Sequence, residues 1–385
     1  MTAIDAAELR ERLAGLEPIG LGADGTTRLA WTPELAAAED WFGEQARGAG
    51  LRVERDPAGS LWAVPDCPGP WWATGSHLDS VRGGGRYDGA LGVAAGFAVA
   101  ERCPGVAVIA FADEEGARFN TPTFGSRALA GRLDAVLDRV DDDGVTLADA
   151  MRSFGADPES LSAAPAWLER LSGFIELHID QTRDLERLGA PAGAVRSLAA
   201  RMRLALTFEG RADHAGTTRR DERRDALAAA ARIVVAADDL AGGDFLVTAT
   251  RMLVEPNAFT TVPSRVRLWI DGRTPDEERL ADWRAGLAAA AEALSRRSGV
   301  AIELETASRS DGVEFDAEVR AALGDLPKLV CFAGHDAGIL APLRPAGMVF
   351  VRNPTGVSHA PDEAVDLGDA AIAAEALRTA LERLA

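Results

Sequence analysis

Two short apolar runs, at 71–75 and 106–111, flank a stretch of small residues at helical spacing over 90–102. Runs of that length suit buried strands. Strand, helix and strand in that order imply a right-handed crossover and therefore a parallel sheet with a helix on its face. A further helix is predicted over 36–47, and alternation of helices with short apolar strands continues to about residue 197. From about 198 to 308 the texture changes. Residues 201–209 alternate polar and apolar, as a strand with one wet face does. A helix over 224–240, strands over 245–254 and 265–270, a helix from Pro275 to about 297 and a strand over 300–305 complete the order β-α-β-β-α-β, the ferredoxin-like split motif. After about 309 the α/β texture returns, with a buried-strand run at 348–351 and a final helix over 369–384. The expected organisation is a discontinuous α/β domain, 1–197 with 309–385, holding a mostly parallel sheet, and an inserted α+β domain at 198–308.

A chain of 385 residues is long enough for two cores. Its formal net charge of −19 argues against nucleic acid as a partner, since that affinity rests on Lys and Arg. The basic run 219–224 (RRDERR) is read as a charged, solvated helix start. No stretch reaches about 18 apolar residues, so no membrane span is expected. The N-terminal segment has no apolar run of the secretory kind. The three cysteines, Cys67, Cys103 and Cys331, are scattered and form no CxxC pair, which favours a reducing, cytoplasmic compartment.

The chain has only five histidines, and each sits in a short polar motif. His77 lies in GSHLDSV, directly after an apolar run, where open α/β sheets build their sites. There one side chain can bind a metal while Asp79 orients it. Asp88 follows a glycine-rich segment (GGGRYDG) and is offered at a helix start, with two oxygens able to bridge two cations. No Lys-Ser/Thr follows those glycines, which weakens a phosphate-loop reading. Glu114 and Glu115 form a carboxylate pair after the next strand. One can ligate a metal while the other acts as a general base. His178 lies in FIELHIDQ, where Glu176, His178 and Asp180 share one face of a strand. His359 lies in GVSHAPDE. Alone, each motif has a plainer reading: a turn histidine capped by an aspartate, a solvated acidic turn, an edge strand with a wet face, or a helix start capped by Ser358. Together they supply three histidines, an aspartate and a glutamate, with a glutamate to spare. That suffices for two metals sharing Asp88.

The segments GSHLDSV, RYDGALGV, FADEEGARF, ELHIDQ, DHAGTTRRDERRDAL, AGHDA and GVSHAPDE, in this order and spacing, resemble the hydantoinase/carbamoylase family of amidohydrolases within the M20 metallopeptidase superfamily. The likeness extends over nearly the whole chain. It implies a zinc-peptidase-like catalytic domain and an inserted lid and dimerisation domain. It implies two divalent ions, Zn²⁺ or Mn²⁺, one held by His77, Asp88 and His178 and the other by Asp88, Glu115 and His359. Glu114 would be the general base and Asp79 the partner of His77. His214 would reach the active site of a neighbouring subunit of a homodimer and stabilise the oxyanion. Gln181, Arg273 and His335 would contact a small carboxylate substrate, Arg273 as a bidentate clamp. Closure of the inserted domain would bring Arg273 and His214 to the site. Two positions depart from the pattern: Thr260 stands where the family has an asparagine on the substrate carboxylate, and Thr182 where it has glycine. The implied reaction is hydrolysis of a ureido or carbamoyl C–N bond. The segment TRLAWTPE and the phrase VRNPTGVSHAPDE lean toward allantoate, with N-carbamoyl-L-amino acids next and a specialised biosynthetic amidase third. An inactive dimeric scaffold is the competing class, and it would require a lost ligand or base.

Overall fold

The structure, a computed structural model, describes residues 2–385. It divides into two compact units, Met1–Arg196 with Glu314–Leu329 and Gly334–Ala385, and Ser197–Val313 with Val330–Ala333.

The first unit is built on the larger sheet. Its four central strands, Ala346–Val351, Leu171–Ile179, Trp71–His77 and Ala107–Phe111, are adjacent in that order and mutually parallel. Antiparallel strands flank them, Ala192–Leu198 on one side and Leu61–Val64 then Arg52–Arg55 on the other. The Leu171–Ile179 strand is thus central, not an edge with a wet face, and apart from Ser172 its residues are buried. The helix Ala90–Ala100 is the crossover between the Trp71–His77 and Ala107–Phe111 strands. All of its residues are buried, because it packs on the sheet and under both the Ala6–Leu16 and Leu367–Leu384 helices. A helix apolar all round belongs in such a place. Its small residues let it sit close to the sheet. A Cβ on Gly92 would lie 2.1 Å from the Leu177 carbonyl oxygen.

The second unit is a four-stranded antiparallel sheet in the order Leu246–Glu255, Arg265–Thr274, Ala200–Glu209, Ala301–Ser310. The helices Ala226–Asp239 and Glu277–Ser298 pack against it. Asp225 and Asp276 cap their starts, accepting the amides of Ala228 and Glu278 at 2.9 and 3.0 Å. The Trp283 indole N–H donates to the Ala237 carbonyl at 3.0 Å and ties helix to helix. The last strand runs to Ser310, past the expected end at 305, because its outer residues are exposed and carry no apolar signal. Residues 330–333, which the sequence groups with the larger domain, go with this unit. The Ala199 amide and the Arg273 guanidinium hold the carbonyls of Cys331 and Phe332 at 2.8 and 2.6 Å.

Among the described residues no helix is long and apolar enough to cross a membrane.

Candidate metal centre

The carboxyl ends of the four central strands carry the polar motifs, as expected of an open α/β sheet. His77 closes the Trp71–His77 strand, and the Asp113–Glu114–Glu115 turn follows Ala107–Phe111. His178 lies near the end of Leu171–Ile179, and the loop after Ala346–Val351 carries Ser358 and His359. That loop does not start a helix at Ser358. The Ser358 hydroxyl instead donates to Asp88 Oδ2 at 3.3 Å. His359 has φ 58, an uncommon conformation for a residue with a side chain.

Main-chain carbonyls set His77 and His178, both buried. Nδ1 of His77 is 3.0 Å from the Asp79 carbonyl, and Nδ1 of His178 is 3.0 Å from the Ile179 carbonyl. A carbonyl only accepts, so in each neutral ring the hydrogen is on Nδ1 and the lone pair on Nε2. Both Nε2 atoms are buried without a hydrogen-bond partner among the described residues. Yet Asp88 Oδ1 lies 3.4 Å from that of His77 and 2.9 Å from that of His178. Gly89 makes the approach possible. It has φ 65, and a Cβ there would lie 2.5 Å from the His77 ring.

The other oxygen of Asp88 faces elsewhere. Oδ2 is 3.6 Å from His359 Nε2, which is in turn 3.4 Å from Glu115 Oε2. Gln181 Nε2 also donates to Oδ2, at 3.3 Å. Two sets of groups able to hold a metal therefore share Asp88: His77, Asp88 and His178, and Asp88, Glu115 and His359, with the donor atoms of each within 4.8 Å of one another. Lone pairs aimed at carboxylate oxygens repel unless a cation or a proton lies between them. The orphaned Nε2 atoms, with Glu115 Oε1 buried and unpartnered, thus fit a divalent ion.

The charge state of the protein alone shows the same tension. Burial opposes charge on His178, but Asp88, with help from Glu176, pushes its pKa up to about 9. Burial and then Asp88 push Glu115 up to about 8. Burial, with Asp336 and Glu115, holds Glu114 well above the usual carboxylate range against the pull of His77. A divalent cation among these groups would favour their ionised carboxylates.

Two carboxylates hold the donors through the backbone. The Asp79 oxygens accept the amides of Glu114 and Glu115 at 3.1 and 3.0 Å. Its carboxylate stands 3.6 Å from His77 Nδ1, so it fixes the Glu114–Glu115 turn, and its main-chain carbonyl orients the ring. Glu363 closes the GVSHAPDE segment. It is buried, and its Oε1 accepts the amides of Tyr87 and Asp88 at 2.9 and 3.1 Å. The buried Arg28 donates from Nε to the Leu78 carbonyl at 2.9 Å, in the segment that follows His77. Neither residue was signalled by its local sequence, because each acts on backbone far away in the chain.

Glu114 is buried, with Oε2 3.8 Å from His77 Nε2. His335 is buried, its ring 4.4 Å from that of His178, and both its nitrogens lack partners among the described residues. Burial and then His178 hold its pKa well below the ordinary range. Glu176, His178 and His335 form a third set of possible donors. The Glu176 oxygens, however, already accept from the Ser76 hydroxyl and the Ala337 amide, at 2.8 and 3.0 Å. Thr182 donates from both its amide and its hydroxyl to Asp180.

His214, Thr260 and Arg273 belong to the second unit. His214 pairs across strands with Thr261, and the Ala215 amide donates to the Thr260 carbonyl at 2.8 Å, so His214 and Thr260 are close neighbours. Arg273 donates from Nε to Asp271 at 2.7 Å and from Nη1 to the Phe332 carbonyl. Nη2 is the arm these bonds do not use.

A model of peptidase family M20/M25/M40 matches residues 63–383. The chain belongs to this family. It is 36% identical, over 406 aligned positions and 99% of both chains, to the N-carbamoyl-L-amino acid amidohydrolase of Geobacillus stearothermophilus. It is 31% identical to the allantoate amidohydrolase of Bacillus subtilis (strain 168), over 96% of this chain and 95% of that one. Among solved structures, an amidase of the hydantoinase/carbamoylase family from Burkholderia multivorans superposes with a TM-score of 0.88 at 29% identity, covering 100% of this chain and 98% of that one. The family expected from the motifs is borne out, and with it the fold. The chain is a metal-dependent amidohydrolase, acting on C–N bonds outside peptides.

Proposed function

We propose that this hydrolase cleaves a linear amide C–N bond in a small carboxylate substrate bearing a ureido or carbamoyl group, using two divalent ions, Zn²⁺ or Mn²⁺. The observation that carries the reading is Asp88, which turns one oxygen to His77 and His178 and the other toward His359 beside Glu115. His77, Asp88 and His178 would hold one ion, and Asp88, Glu115 and His359 the other. Ions bound there would supply Lewis-acid activation of a water and of the substrate carbonyl.

The chain's own residues do the rest. Glu114, buried and unused as a ligand, takes a proton from the attacking water and returns it to the leaving nitrogen. Asp79 keeps Glu114 and Glu115 in place through their amides. His214 donates a hydrogen bond to the oxyanion. Its service to a neighbouring subunit of a homodimer, with the second unit as lid and dimerisation element, is supported by the family likeness alone. By the family likeness alone, Gln181, His335, Thr260 and Arg273 are assigned to the substrate, and Nη2 is the arm of Arg273 that would meet the substrate's carboxylate. A terminal ureido group and water yield an amine, carbon dioxide and ammonia. The intact ligand set and Glu114 leave no support for the inactive-scaffold alternative.

Relatives of near-equal identity are named for N-carbamoyl-L-amino acids and for allantoate, so a panel decides between them. Allantoate, N-carbamoyl-L-amino acids, N-formyl and N-acetyl amino acids and dipeptides are offered with Mn²⁺ and with Zn²⁺. Turnover confined to the first two classes is expected. Turnover of dipeptides alone would overturn the proposal.

A further inference from the structure

His214 sits on an exposed loop of the second unit, and nothing in its sequence says which of its ring nitrogens carries the hydrogen. The loop decides this. After the short pairing of Asp213–His214 with Thr261–Val262, the chain turns back on the ring. The amides of Gly216 and Thr217 both donate to His214 Nδ1, at 3.1 and 3.2 Å. A nitrogen that accepts two N–H groups carries no hydrogen, so the neutral ring bears it on Nε2. The amide and hydroxyl of Thr218 close the turn on the His214 carbonyl at 3.1 and 2.8 Å.

Two further bonds keep those amides aimed. Arg223 is half-buried. Its Nε donates to the Thr218 carbonyl at 3.0 Å and its Nη2 to the Ala215 carbonyl. These carbonyls bracket Gly216 and Thr217, and the planar fork of the guanidinium presents two donors to them in one fixed geometry. The basic run at 219–224 thus contains one residue that is not simply solvated.

We infer that Arg223 is a positioning residue: by bridging the Ala215 and Thr218 carbonyls it holds the Gly216 and Thr217 amides on Nδ1 and fixes His214 as an Nε2–H donor for an anionic oxygen. The donor's use in catalysis rests on the function proposed above; the tautomer does not.

The test is ¹⁵N-histidine spectroscopy of the full chain at alkaline pH, where imidazole is neutral, with His214→Gln to assign the resonance. The wild type is expected to show one tautomer, hydrogen on Nε2. In Arg223→Met, and to a smaller degree in Arg223→Lys, whose flexible stem does not fix two donors in one plane, the His214 signal is expected to move toward a mixture of tautomers. Unmoved resonances of the other histidines verify the fold. A pure Nε2–H tautomer in both variants overturns the inference, whatever their activity. With a substrate from the panel, Arg223→Met is expected to lower kcat about tenfold or more with KM little changed. The double variant with His214→Gln is expected to be no slower than His214→Gln alone. A mixed tautomer with wild-type kcat would support the positioning role and overturn the catalytic part assigned to His214.

Discussion

Asp88 is the residue on which the site turns, and its placement is the work of its neighbours. Gly89 lets the His77 ring close on it, and Glu363 holds its amide. Glu363→Ala is therefore expected to weaken metal binding about 10- to 100-fold, as the loss of a ligand's support does; titration of the metal-free protein with Mn²⁺ measures it, and unchanged affinity would show Asp88 to be held without Glu363. Glu114→Gln removes a base and no ligand. Metal content should be unchanged and kcat should fall about 10²- to 10⁴-fold, and wild-type turnover would remove Glu114 from the reaction. His77 and His178 were legible because each lies in a short polar motif near the end of an apolar run, and Asp88 because it follows glycines at a helix start. Glu363 and Arg28 were not, because their partners are main-chain groups; Glu363 meets Asp88 across 275 positions. The Asp79 carboxylate was expected beside His77 and stands 3.6 Å from its Nδ1; that it also takes the amides of Glu114 and Glu115 is something sequence spacing does not encode.

At the scale of elements, periodicity found the order of strands and helices, and packing set their limits. The strand carrying His178 reads equally well as an edge or a centre, since alternation records only which residues share a face. Its parallel neighbours on both sides decide for the centre. Helix-to-sheet distance is the other element-scale quantity the site depends on. Gly92→Ala would push a Cβ into the Leu177 carbonyl, next to His178. The helix or the strand must move, at a cost of about 1–3 kcal/mol. Urea unfolding of the metal-loaded protein should show a lower midpoint and Mn²⁺ titration a weaker affinity. Wild-type values for both would mean that the crossover helix has room to spare.

At the scale of the molecule, a net charge of −19 is compatible with a local demand for cations. Four carboxylates, Asp79, Asp88, Glu114 and Glu115, are gathered around His77, His178 and His359 of the first unit. The second unit carries its own polar cluster at His214, which the sequence located but whose internal bonds it could not supply. The family, the fold class and the reaction type were legible because motifs spaced along the whole chain agree. The pairings that aim the side chains needed three dimensions. The central claim is that two divalent ions lie on either side of Asp88. An anomalous difference map from a crystal soaked in Mn²⁺ measures this directly. Two peaks are expected, one among His77, Asp88 and His178 and one among Asp88, Glu115 and His359; a single peak, or peaks away from Asp88, would contradict the account.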